Sequence, residues 1–277
     1  MTLNFASQVL VIIFLGSTGC QKRGAGTETS PFRIIATDAG FEAPNEVPAG
    51  MRHLIFENHG KAIHEAMLVK LPAGMSADDY VGAVKGGSLF PEGGLDYSGP
   101  GLTSPGQSTE LWVKVDPGNY LLICWNGKHA RTTGHHPFTV SYTVNNDPVP
   151  KEDAVLRLVD FKFELEGRLE RGEQVIRIET PGPSMHEADI FRLHPGKTVA
   201  DLQRWRNENQ LGPAPADAMG GILDSHDLER VVWLRKNFTP GRYAFHCEMP
   251  LTTDASTASS EKSHSDLGMV REFEIRD

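Results

Sequence analysis

Two stretches of the chain place metal-binding side chains close together. From Pro240 the sequence reads Pro-Gly-Arg-Tyr-Ala-Phe-His246-Cys247-Glu-Met-Pro and, after a polar filler, His264-Ser-Asp-Leu-Gly-Met269. Earlier, Pro117-Gly118-x-Tyr120-x-x-x-Cys124-Trp is followed by His129 and, after Gly134, by His135 and His136. Thiol, imidazole and thioether are transition-metal donors: sulfur suits a soft, low oxidation state and imidazole accepts either state. A lone Cys also has a bland reading, as a small buried apolar residue. Which reading holds depends on the elements that carry these residues.

Those elements come in two copies. Phe41, Gly50, His64-Glu65, Leu71 and Gly74 recur 122 positions later as Phe163, Gly172, His186-Glu187, Leu193 and Gly196. With one further residue of drift, Pro117-Gly118-x-Tyr120-x-x-x-Cys124 recurs as Pro240-Gly241-x-Tyr243-x-x-x-Cys247. A repeat of this length is a domain rather than a solenoid unit. Alternating runs such as Val175-Ile-Arg-Ile178 read as strands with one buried face. A helix interrupts them in each copy: Thr198 and Asp201 suit an N-cap, with Val199, Leu202 and Trp205 on one face, and Ser76-Ala-Asp-Asp79 opens the counterpart. The expected fold is all-β, two tandem Greek-key sandwiches each with a short lateral helix. The domains run over 32–145 and 153–277, joined at 146–152 by a connector rich in turn and polyproline residues. Cys124 and Cys247 then sit at equivalent places in separate sandwiches, too far apart to pair.

The whole chain of 277 residues has room for two such cores. Its formal charge of -9, from 36 acidic and 27 basic residues with no basic cluster, argues against nucleic acid as a partner, since such binding neutralises phosphates. The apolar run Val9 to Leu15 is about half of what spans a bilayer and reads as the core of an export signal over 1–20. Ser17-Thr-Gly-Cys20 resembles a bacterial lipobox, which implies a lipid on Cys20 as the sole membrane attachment, with 21–31 as a flexible tether.

The run from Gly241 onward resembles the C-terminal signature of the cupredoxins: Gly-x-Tyr-x-Phe-x-Cys, a loop, His-x-x-x-Gly-Met and a final strand. That resemblance implies a type 1 copper held by His186, Cys247, His264 and Met269, two imidazoles and a thiolate with a weak axial thioether, one such site per chain. Cys247 and His264 are 17 residues apart, and the Ser, Thr, Ala and Asp filler from Leu251 to Ser260 is expected to bulge outward, since closure cost rises slowly with loop length. In the first copy the counterparts are His64, Cys124 and His129, with His135 in the axial place. An axial imidazole there would favour Cu(II) and lower the potential, or mark a site that has drifted from copper. In copper nitrite reductases and multicopper oxidases a His-Cys pair leads to a second copper. The segment after His186 lacks regularly spaced histidines, so His246 reads as an outward-facing surface residue. Glu65 and Glu187 read as partners of a ligand ring or as solvated strand ends. The expectation is an exported, periplasmic or cell-envelope copper protein serving a redox or copper-donor partner as one-electron carrier or copper handler rather than as an enzyme. A metal-free interaction module and a two-domain copper oxidase or nitrite reductase are the alternatives.

Overall fold

The computed structural model describes residues 30–208, 212–251 and 262–277. The export signal, Cys20 and all but the first residue of the Leu251 to Ser260 filler lie outside them. The first copy forms β1 (Phe32–Thr37), β2 (Gly40–Glu42), β3 (Glu46–Asn58), β4 (Met67–Lys70), α1 (Ala77–Lys85), β5 (Leu95–Asp96), β6 (Ser108–Val115), β7 (Gly118–Ile123) and β8 (His135–Val144). The second forms β9 (Ala154–Val159), β10 (Lys162–Glu166), β11 (Gly172–Glu179), β12 (Ala188–Leu193), α2 (Val199–Asn207), β13 (Ala216–Ile222), β14 (Val232–Phe238), β15 (Gly241–His246) and β16 (Val270–Ile275). Both helices start with the expected reciprocal caps, Ser76 with Asp79 and Thr198 with Asp201.

Each copy is a β-sandwich. In the second, β10-β9-β11-β14 faces β13-β12-β15-β16, and Leu156, Ile176, Leu234, Ile190 and Phe245 fill the space between them. In the first, β3 serves both layers: its first residues pair with β8, and from Gly50 it pairs with β6. Gly50 makes that turn with φ 106, and a Cβ there would lie 2.5 Å from the Asn145 carbonyl oxygen, so only glycine fits. Residues 145–147 run along β3: Asn145 N–H donates to Ala49, Asn146 Oδ1 accepts from Met51 N–H, and Asp147 forms a buried ion pair with Arg52 at 3.2 Å.

The sandwiches meet about an approximate two-fold axis. β14 pairs antiparallel with β6 so that Leu234 faces Leu111, its own counterpart in the repeat, and the two layers become one continuous sheet. Arg235 stacks its guanidinium 4.8 Å from the Trp112 ring centroid and bonds Glu110 at 2.9 Å. A second self-complementary seam pairs Pro100 with Ile222, flanked by Tyr97 with Ser225 and Thr103 with Met219.

Candidate metal centres

The Cys of each copy is positioned by its tyrosine. Tyr120 donates its hydroxyl hydrogen to the Asp116 carbonyl and Tyr243 to the Thr239 carbonyl, both at 2.9 Å, four residues upstream. This is the tyrosine corner of β-sandwiches, and it explains the repeated Pro-Gly-x-Tyr. Four residues further on, Cys124 and Cys247 are fully buried and unpaired with each other.

In the second sandwich, His186, Cys247 and His264 converge, their donor atoms within 4.8 Å of one another. Cys247 Sγ lies 3.6 Å from His264 Nδ1, and the two histidine Nδ1 atoms are 3.0 Å apart. A first-row metal with bonds of roughly 2.0 to 2.3 Å spans such gaps. Met269 is fully buried in the same core cluster; its carbonyl accepts from Cys247 N–H at 3.3 Å and its N–H donates to His264 at 3.0 Å. Burial lowers the pKa of His186, against the pull of Asp160, and holds His264 down at about 4, where the neighbouring His186 adds to the effect. Both rings are therefore neutral donors at pH 7. Burial, reinforced by Glu187, pushes the Cys247 thiol well above its usual range, so a metal that binds here displaces a proton. A soft sulfur beside two neutral imidazoles in a buried pocket suits copper.

The long loop closes tightly at its base. Leu251 N–H donates to Lys262 at 3.1 Å and His264 N–H to Met249 at 2.9 Å, so the described residues on either side of 252–261 are joined beside the site.

The first sandwich gathers His64, Cys124 and His129 in the same way. Cys124 Sγ is 3.4 Å from His129 Nδ1 and 3.9 Å from His64 Nδ1, and the two rings stack with centroids 4.5 Å apart. His135 is not part of this group. It opens β8 opposite Ile123, as Val270 opens β16 opposite His246. One residue earlier, Gly134 makes the bonds of Met269: its carbonyl accepts from Cys124 N–H at 2.8 Å and its N–H donates to His129 at 2.9 Å. The axial place expected for His135 thus belongs to a glycine. Aligning the Gly of Gly-His with that of Gly-Met displaced the expected match by one residue.

Two further expectations change. His246 is not on the surface: it is 1% exposed, edge-on to Phe191, with Nδ1 2.6 Å from Glu248 Oε1. Antiparallel pairing sets it against Asp189 on β12, whose carboxylate reaches Leu102 of the first sandwich, and its own ring packs against Phe191 and Glu248 rather than facing water. Glu65 is likewise buried, and neither glutamate is the partner of a ligand ring; Glu187 touches the site through its backbone, its N–H pointing at Cys247 Sγ at 3.3 Å.

The ring partners are two aspartates that the motifs did not single out. His64 Nε2 lies 3.3 Å from Asp38 Oδ1 and His186 Nε2 3.0 Å from Asp160 Oδ1, which leaves His64 Nδ1 turned to the Cys124 thiol and His186 Nδ1 to His264. Backbone N–H groups of Lys61 and Ala62 hold Asp38 and lower its pKa; for Asp160 the first cause of lowering is His186 itself. Each carboxylate also sits against a glycine, Gly60 or Gly182, where a Cβ would come within 2.7 Å of it. The signal was available: Asp38 and Asp160 are 122 apart, in step with Phe41 and Phe163.

Around His246 the domain contact is acidic. Asp189, Asp224 and Glu65 are buried there, with Arg206 bonded to Glu248, and Asp189 Oδ1 accepts from Leu102 N–H at 2.8 Å. Among the described residues, only the two His-Cys-His groups bring three donors of the His, Cys, Asp or Glu type within 4.8 Å of one another.

Two sandwiches, each ending a tyrosine-cornered strand in a buried Cys that meets two imidazoles, define a tandem cupredoxin-like protein. Among solved structures the chain is similar to a dithionite-reduced auracyanin from the photosynthetic bacterium Roseiflexus castenholzii, at 18% identity over 41% of this chain and 98% of that one, with a TM-score of 0.30. It is similar to a multicopper oxidase at 14% identity over 89% and 88%, TM-score 0.27. A Cu-containing nitrite reductase from Thermus scotoductus matches at 13% identity over 88% and 61%, TM-score 0.26. No protein-family model and no curated protein matches the chain. Likenesses this distant carry no weight by themselves; what defines the fold is the strand order and the placement of the donors.

Proposed function

We propose that the protein binds copper through His186, Cys247, His264 and Met269 and works outside the cytoplasm as a one-electron carrier or copper-handling protein. The observation that carries this reading is the convergence of two buried imidazoles and one buried thiol, with a buried Met one residue before the final strand. Such a set accepts both oxidation states of copper, and a packed pocket limits rearrangement between them. The apolar run and the Cys20 motif support export, with a lipid on Cys20 as tether. A redox protein or copper donor is the partner this chemistry calls for, and the net charge of -9 suits a basic one.

Adding Cu(II) to the metal-free protein tests the reading. An intense visible band from thiolate-to-copper charge transfer is expected, lost on chelation. Copper uptake without that band would place the metal elsewhere, and no uptake would favour a metal-free interaction module.

A further inference from the structure

The first sandwich has its own three donors and a glycine where the second has Met269. We infer that His64, Cys124 and His129 form a second copper centre that is three-coordinate, without an axial donor, and is the higher-potential of the two. The inference rests on copper binding in the second sandwich and extends it to the first.

The equivalence of Gly134 and Met269 is fixed from both sides. Counting forward from His129 and His264, each is the fifth residue on; counting back from the last strand, each precedes the residue paired with Ile123 or His246. The backbone hydrogen bonds to the Cys N–H and from the ligand His agree. Nothing larger fits without adjustment, because a Cβ on Gly134 would stand 2.8 Å from His129 Cβ and 3.0 Å from its carbonyl carbon and oxygen. Such contacts disfavour any side-chain donor at this place. The remaining donors correspond pair by pair, including the aspartate behind the first histidine, so the axial place is the main difference between the two sets.

Copper(I) is satisfied by three soft or borderline donors, whereas copper(II) gains more from a fourth. Removing the axial donor therefore destabilises the oxidised state more than the reduced one and raises the potential. An electron then passes downhill from Cu(I) in the second sandwich to Cu(II) in the first, with no bond made or broken and no proton moved. One thread of covalent bonds, strand pairing and hydrogen bonds connects the two. Cys247 follows His246, His246 pairs with Asp189, Asp189 Oδ1 accepts from Leu102 N–H, and Thr103 exchanges both backbone hydrogen bonds with His64, at 2.8 and 3.1 Å.

The test uses the full chain with copper alone, as wild type, Cys247→Ser and Cys124→Ser, followed by redox titration of the visible band. Each variant is expected to retain one band, with the higher midpoint in Cys247→Ser. A band in Cys124→Ser but none in a folded Cys247→Ser overturns this inference and leaves the proposed function standing; no band in Cys124→Ser sinks the proposed function itself. Should either variant misfold, the wild type should titrate in two waves, and Met269→Leu should move only the lower one upward. A single wave, or movement of the upper one, contradicts the assignment.

Discussion

The two halves of this protein share a backbone and differ in what they hang on it. Cys124 and Cys247 end equivalent strands behind equivalent tyrosine corners, and each faces a histidine backed by an aspartate. Yet the first site closes its Cys-to-His loop in five residues and finishes on Gly134, while the second takes 17 and finishes on Met269. The contact between the halves shows the same division. Its backbone pairing is symmetric, with Leu111 on Leu234 and Pro100 on Ile222, but its charge is not: Asp189 and Asp224 occupy the places that Met67 and Leu102 hold in the first half. Duplication has kept the scaffold and let the axial donor, the loop and the interface charge diverge.

The sharpest way to break the comparison is Gly134→Ala. Forcing a methyl against His129 should destabilise the first sandwich by about 1 to 3 kcal/mol, as overpacking does, and remove its copper band while the second site keeps its own. Copper titration with calorimetric unfolding reads both effects, and an undisturbed first site would mean that His129 has room to move.

Asp160→Asn comes next. Losing the carboxylate behind His186 should weaken copper in the second site by about 10- to 100-fold, the usual range for a ligand's hydrogen-bonding partner, and raise its potential. Asp38→Asn should do the same in the first site only. Equal effects of one substitution on both sites would deny that the aspartates act locally.

The asymmetric interface gives a pH dependence. Burial raises Asp224 to about 7, against an unfolded carboxyl near 4. Between those values the folded protein holds a proton that the unfolded chain has lost, so stability present at low pH declines as pH rises through about 7. Asp96 is raised by burial and then by Asp224, and the Tyr80 hydroxyl and Glu187 also feel the Asp224 charge. Asp224→Asn should flatten the fall in Tm of metal-free protein between pH 5 and about 8; an unchanged slope would assign it to other groups. The smallest effect is expected from trimming residues 252–260: with Leu251 and Lys262 clamped, copper affinity at the second site should scarcely change.

Much of this was legible in the sequence because repetition and local chemistry wrote it twice. Both capped helices follow from short motifs, and the unpaired cysteines and the three-donor groups follow from the repeat and the motifs around each Cys; the repeated Pro-Gly-x-Tyr was visible too, though its tyrosine corner was not. What was not legible depends on tertiary contact. His246 stands one residue from Cys247 and looks like a surface residue, yet its ring is buried against Phe191 and Glu248. His135 looks axial by composition, and only the register of β8 on β7 hands that place to Gly134. Asp38 and Asp160 lie 26 residues before the rings they hold, a distance no motif bridges, although the repeat period marks them.

Whether each half presents a Cys-centred copper site is decided by titrating metal-free protein with Cu(II) and following the charge-transfer band. The band should saturate at two coppers per chain, fall to one in Cys124→Ser or Cys247→Ser, and disappear in the double variant. Saturation at one copper, a band that survives in the double variant, or no band in the wild type would rule this out.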